Sequence, residues 1–125
     1  MRSKYPSEYD EQCTYFEWAA KSGIQELRWL HATLNGVKLP VSLAVKAKKS
    51  GMKRGPFDIY LDVARHGYSG LRAEFKRKKY SGRPAGVMSA GQREWLDHYE
   101  ANSFYTALWY GADEAIADTK KYLGK

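Results

Sequence analysis

Two short alternating runs separated by a glycine-containing turn restrict this chain more than any other feature. From Pro56 to Ala64, Phe57, Ile59, Leu61 and Val63 alternate with Asp58, Tyr60 and Asp62. After Arg65-His-Gly-Tyr-Ser-Gly70, Leu71, Ala73 and Phe75 alternate with Arg72, Glu74 and Lys76. A period of two is that of a strand with one buried face, so the pair predicts an antiparallel hairpin. A turn centred near Gly67 sets Asp58 opposite Lys76 and Tyr60 opposite Glu74, with cross-strand neighbours about 5 Å apart on one face. Asp58, Glu74 and Lys76 are therefore expected to converge.

The remaining pattern supplies helices around that hairpin. Ser7-Glu-Tyr-Asp10 reads as a helix cap, and a helix to about Ala20 is expected to bury Tyr9, Cys13, Phe16 and Ala20 before Ser22-Gly23 stops it. Leu27 to Leu34 is compatible with a strand ending in an Asn35-Gly36 turn. Pro40 opens a short helix that ends at Lys48-Lys49-Ser50-Gly51. Ser89-Ala-Gly-Gln92 is a second capping box, heading a helix with Trp95, Leu96 and Tyr99 that Asn102-Ser103 ends. Phe104 to Tyr110 reads as a buried strand, and Ala112 to Leu123 as a last helix with Ile116, Thr119 and Leu123 on one side. The order is α, β, α, β, β, α, β, α, a mixed α/β arrangement in a single domain over residues 1–125.

Charge is distributed unevenly along this order. Residues 27–83 carry 14 basic and 3 acidic side chains, a balance of +11, whereas the flanking segments are each −2. A segment so basic points to a polyanionic partner, because each Lys or Arg docked on a phosphate releases a condensed counterion; a surface kept basic for solubility is the competing explanation. The segment's only acids are Asp58, Asp62 and Glu74. Carboxylates on a phosphate-binding surface repel the ligand unless a divalent cation lies between them. One cysteine, Cys13, excludes an internal disulfide. No run approaches the roughly 18 apolar residues of a membrane span, and Met1-Arg-Ser-Lys4 leads into Tyr5-Pro6 and acids rather than an apolar run. A cytosolic location without membrane attachment is expected.

Two carboxylates and a lysine on one strand-pair face suit phosphodiester hydrolysis, since Asp and Glu oxygens are hard ligands for Mg²⁺ and an ammonium stabilises the charge gained in the transition state. A cross-strand ion pair on a wet face is the competing reading of the same three residues. His31, His66 and His98 have no metal-ligand spacing.

At these residues the chain resembles a known family. Gly55-Pro-Phe-Asp58 followed by Glu74-Phe-Lys76 is similar to the bipartite signature of the PD-(D/E)XK nucleases. Within that superfamily the pattern resembles the VRR-NUC family. Glu8-Tyr-Asp-Glu-Gln12, Asn35-Gly36, Gly51-Met-Lys-Arg-Gly-Pro-Phe-Asp58, Gly67-Tyr-Ser-Gly-Leu-Arg-Ala-Glu-Phe-Lys76, Ser89-Ala-Gly-Gln92 and Gly111-Ala-Asp-Glu-Ala115 follow its motifs in order. One departure is Phe57, where the family usually has the proline that here stands at Pro56.

The resemblance implies a restriction-endonuclease-like fold with a central mixed sheet flanked by helices, and a Mg²⁺- or Mn²⁺-dependent DNA endonuclease. By that likeness Asp58 and Glu74 are metal ligands, Lys76 is the catalytic lysine, Glu8 completes the metal site from the first helix with Glu11 as its rival, and Gln92 is a supporting polar residue. It also implies structured or branched DNA, a four-way junction or a flap, as substrate, and a homodimer. Lys48, Lys49, Lys53, Arg54, Arg77, Lys78, Lys79 and Arg83 flank the expected site and are expected to meet DNA phosphates. A basic DNA-binding module that cuts weakly or not at all is the alternative, favoured by the Pro56-Phe57 departure; an RNA-directed enzyme is a third reading.

Overall fold

The structure is a computed structural model that describes residues 5–33, 37–80 and 82–125. Its helices are α1 (Glu8–Lys21), α2 (Val41–Lys49), α3 (Ala90–Ala101) and α4 (Ala112–Leu123), and its strands are β1 (Leu30–Ala32), β2 (Ile59–Leu61), β3 (Leu71–Phe75) and β4 (Tyr105–Trp109). The strands form one sheet in the order β1-β2-β3-β4, antiparallel except for the parallel pair β3 and β4. This is the expected mixed α/β order, with a 3-10 turn over Gln25–Trp29 ahead of β1. That turn takes the first half of the Leu27 to Leu34 run, leaving a strand of three residues. The Asn35-Gly36 turn lies outside the described residues.

Both capping boxes form. Ser7 Oγ accepts from Asp10 N while Ser7 N donates to Asp10 Oδ2, and Ser89 and Gln92 repeat the reciprocal pair at the head of α3. Each fixes where its helix begins by satisfying otherwise orphaned amides.

The sheet separates two environments. Leu71, Ala73 and Phe75 of β3, with Ile59 and Leu61 of β2, face a core completed by Tyr15 of α1, Trp109 of β4 and Ala115, Tyr122 and Leu123 of α4. Burial of that much aliphatic and aromatic surface is what holds α1 and α4 against the sheet. The alternate residues, Tyr60, Arg72 and Glu74, face α3 instead. There Tyr60 Oη lies 3.1 Å from Tyr99 Oη, and the Arg72 guanidinium stacks 4.0 Å from the Tyr60 ring centroid and 4.3 Å from that of Phe104. Tyr60 is accordingly a packing residue.

Three expectations are corrected. The buried side of α1 is Glu11 and Tyr15, with Phe16, Trp18 and Ala19 partly buried against the core; of the expected stripe Phe16 therefore packs inward, whereas Ala20 is exposed and Tyr9 is 74% exposed. The turn of α1 is set by Glu11, whose Oε2 accepts from Ala112 N and so caps α4, and by Tyr15 Oη, 2.7 Å from Thr119 Oγ1. In the hairpin, Tyr60 pairs with Arg72 and Ile59 with Ala73, so the register is displaced by two residues from one centred on Gly67. An even displacement leaves the side chains of β2 and β3 on their expected faces; Phe57, ahead of β2, does not follow the alternation and packs on Tyr99 of α3, outside the core cluster. Finally, β4 is an edge strand in which only Trp109 is fully buried, not a buried strand.

The loop that leads into β2 is pressed onto α3. Gly55 has φ +101, and a Cβ there would lie 2.5 Å from Trp95 Cδ1 and 2.9 Å from Gly91 O. Trp95 Nε1 donates to Arg54 O, and Phe57, fully buried, packs on Tyr99 with ring centroids 5.3 Å apart. Gly55→Ala combines a left-handed backbone with a backbone clash, and we expect it to lower stability by about 1–3 kcal/mol in denaturant titrations monitored by tryptophan fluorescence. Gly67→Ala, also at positive φ but with open space around its Cβ, should cost less.

Candidate active site

Position 58 is defined by the strands on either side of it. Continuing the β2–β3 register by one residue sets Asp58 across from Glu74, not Lys76. Thr33 holds it from the other side, its N–H donating to Asp58 O at 2.7 Å and its hydroxyl to Phe57 O at 3.4 Å. Phe57 N–H donates to Tyr99 Oη at 3.4 Å, a bond that a proline could not make. The departure from Pro to Phe at this position therefore changes how the backbone is anchored while leaving Asp58 beside Glu74.

Glu74 is buried on β3, and the Asp58 carboxyl lies within hydrogen-bonding reach of it. Burial, then the hydrogen bond and negative charge of Asp58, push the Glu74 carboxyl up to about 10; Lys76 pulls the other way and Glu8 adds to the rise. Lys76 follows β3 and donates its N–H to Trp109 O, which keeps it in line with the strand and on the same face as Glu74. Gln92 joins the two. Its Nε2 donates to Glu74 Oε1 at 2.8 Å, and its Oε1 accepts from Lys76 Nζ at 2.7 Å and from Ser89 N at 3.0 Å. The amide can be oriented only this way, because the ammonium of Lys76 and the backbone N–H of Ser89 can only donate and so both require the amide oxygen. Gln92 is thus both the helix cap and the bridge across the site.

Glu8 and Glu11 part company. Glu11 turns inward to the α4 N-terminus with Lys78 Nζ 4.0 Å away, against Gly111, where a Cβ would meet both side chains. Glu8 is exposed, accepts from Arg77 N at 3.2 Å, and lines a cleft of about 380 Å³ together with Asp58, Arg77 and Arg83. Of the two acids it is Glu8 that lines the cleft with Asp58, and Glu11 does not. Of the basic residues, Arg77 and Arg83 line this cleft; Lys48, Lys53 and Arg54 line a second groove beneath α2 that shares Val37 with it. Lys49 and Lys79 are exposed outside both, and Lys78 is directed at Glu11. Gln12, the second residue of the Glu8-to-Gln12 motif, also lines the cleft, as do Tyr9, which the sequence pattern assigned to the apolar face of α1, and Thr33, which it did not single out. Adjacency to Glu8 on α1 is the signal that could have marked Tyr9 as a cleft residue.

Among the described residues, no three His, Cys, Asp or Glu side chains converge as a ready-made metal cage. The donor set nevertheless suits a hard divalent cation. Mg²⁺ is commonly held by one or two carboxylates, with water and substrate phosphate oxygens filling the other positions. Asp58 and Glu74, adjacent and with Lys76 as the one cation acting on Glu74, supply such a pair, with Glu8 across the cleft.

A carboxylate pair and a lysine thus lie at one end of a mixed sheet flanked by helices. A solved structure described as "VRR_NUC domain protein" superposes with a TM-score of 0.77, covering 97% of this chain and 91% of that one at 22% identity, so the chain has the fold of a VRR-NUC domain. No protein-family profile matches the chain, and no curated protein matches it. No helix among the described residues is long and apolar enough to cross a membrane.

The raised Glu74 carboxyl has a consequence for stability without metal. Between its ordinary 4.5 and about 10 the folded chain keeps a proton that the unfolded chain releases, so raising pH through that interval favours unfolding. In EDTA the Tm should fall from pH 5 to pH 9 more steeply for the parent than for Glu74→Gln, in which that titration is absent. Parallel Tm–pH curves would show that Glu74 ionises normally.

Proposed function

We propose that this protein is a metal-dependent nuclease that hydrolyses DNA phosphodiester bonds at the cleft between Glu8 and Asp58. The observation that carries the reading is the chain of contacts Asp58, Glu74, Gln92, Lys76 at the end of β3. Asp58 and Glu74 would hold Mg²⁺ or Mn²⁺, with Glu8 acting directly or through water; when bound, the cation polarises the phosphoryl oxygen and makes hydroxide available near neutral pH. Lys76 contributes a compact positive charge where the pentavalent phosphorus gains negative charge, and Gln92 holds that ammonium in place. Arg77 and Arg83 provide the cations that seat a phosphate beside the two acids. The Phe57 departure leaves Asp58 beside Glu74, which supports an active enzyme over a DNA-binding module that no longer cuts.

Branched DNA as substrate, a homodimer and a cytoplasmic setting extend the same reading. Val41, Leu43 and Val45, all exposed on α2, are candidate contacts between two copies. RNA is the competing substrate, and cleavage assays on matched DNA and RNA separate the two.

Lys76→Ala should slow cleavage by a factor on the order of 10² or more while DNA affinity changes little, because the charge it meets appears mainly in the transition state. Gln92 Oε1 keeps its bond from Ser89 N in that variant, so folding should be preserved. Mn²⁺ binding by calorimetry should disappear in the Asp58→Ala, Glu74→Ala double variant. Binding that persists there would move the metal elsewhere, and cleavage by Lys76→Ala within a few-fold of the parent would reduce Lys76 to a structural partner.

For the basic groove, log K for duplex DNA should fall against log salt with a slope of about −0.9 per phosphate neutralised. Replacing Lys48 and Lys49 with Ala should flatten that slope. An affinity insensitive to salt would mark the charge as a solubility device.

A further inference from the structure

Tyr9 is the feature of the cleft that hydrolysis leaves unused. Its ring is 74% exposed on the first turn of α1, adjacent in sequence to Glu8, in a cleft otherwise lined mainly by charged and polar side chains. An aromatic side chain this exposed gains nothing for the core.

We propose that Tyr9 is a stacking platform for an unpaired base next to the scissile phosphate, so that the substrate is a nucleic acid with a single-stranded segment at the cleavage point. The proposal rests on the reading of Asp58 and Glu74 as the hydrolytic site and adds what they act on. Intact duplex presents phosphates and base edges, whereas only an unstacked base offers its face to a ring. Arg77 and Arg83 share the cleft, so a nucleotide whose phosphate lies on the guanidinium groups has Tyr9 within the same lining. At about 380 Å³ the cleft is within the size of sites that take small ligands, enough for a nucleotide.

The aromatic surface continues past the cleft. Tyr5, 42% exposed, meets Tyr80 edge-on with ring centroids 5.1 Å apart, and the Arg83 guanidinium sits 5.9 Å from the Tyr80 ring. Rings alternating with arginines are how sequence-tolerant single-strand sites are built. No acid occurs between Glu74 and Glu94 to repel the strand.

The test uses a blunt duplex and the same duplex with a short unpaired tail at one end or the other, 5-iodouracil in the tail, and EDTA so that nothing is cut. Ultraviolet irradiation should crosslink the tail to the peptide carrying Tyr9, as mapped by mass spectrometry. Tyr9→Ala should abolish that crosslink and weaken binding of the tailed duplex roughly 5- to 150-fold, the span of one base–aromatic stack, with blunt duplex little affected; Tyr9→Trp should retain tail binding. Equal losses on blunt and tailed DNA, or a crosslink that maps away from Tyr9, overturn the proposal. Cleavage by the parent without a Tyr9 crosslink rejects the stacking and leaves the nuclease standing. A Tyr9 crosslink without cleavage under any metal supports the platform and rejects the nuclease.

Discussion

A carboxylate on an interior strand organises this molecule. Glu74 sits near the end of β3, between its neighbouring strands and out of water, and an ionised group in that position is strongly unfavourable unless others compensate it. Gln92 reaches it from α3, Lys76 stands two residues along the same strand, and Asp58 faces it from the start of β2. Each neighbour depends on an element with its own reason to be there: α3 begins at Ser89 because of its capping box, and Asp58 is pinned by Thr33 and by the close approach of Gly55 to Trp95. The site and the scaffold are consequently one set of interactions on the α3 side of the sheet. The opposite side, packed by α1 and α4, is ordinary apolar core.

Legibility in the sequence followed the range of the interaction. Both capping boxes lie within four residues, and they placed α1 and α3 correctly. The period of two placed Asp58, Tyr60, Arg72, Glu74 and Lys76 on one face, although the register was two residues out, because parity survives an even shift while cross-strand partners do not. The buried side of α1 could not be read in this way. Tyr9, Cys13, Phe16 and Ala20 form a plausible apolar stripe, but orientation is decided by Glu11 capping a helix a hundred residues away and by Tyr15 bonding Thr119, contacts with no local signature. Glu11 would be scored as a surface residue by any rule of composition.

The ordered motifs narrowed the candidate site further than periodicity alone. Spacing left Glu8 and Glu11 as equals, and geometry separated them, one lining the cleft and the other closing α4. Sequence reading offered Gln92 both as a capping-box residue and as a supporting polar residue of the site; that one side chain satisfies a backbone amide, an ammonium and a carboxylate at once became visible only where three elements meet. Lys78 illustrates the converse: its place in a basic run suggested a surface cation, yet it is turned toward Glu11.

The helix α2 buries none of its residues, while its last turn carries Lys46, Lys48 and Lys49. Nine residues are too few to be held helical by propensity alone in water. Its amides should therefore open at little free energy, independently of the sheet, and exchange with solvent well before those of β3. A segment loosely coupled in this sense can accumulate substitutions, lengthen or shorten with little effect on global stability. Opening of α2 would therefore reshape the groove that Lys48 lines while the strands that hold Asp58 and Glu74 stay in place.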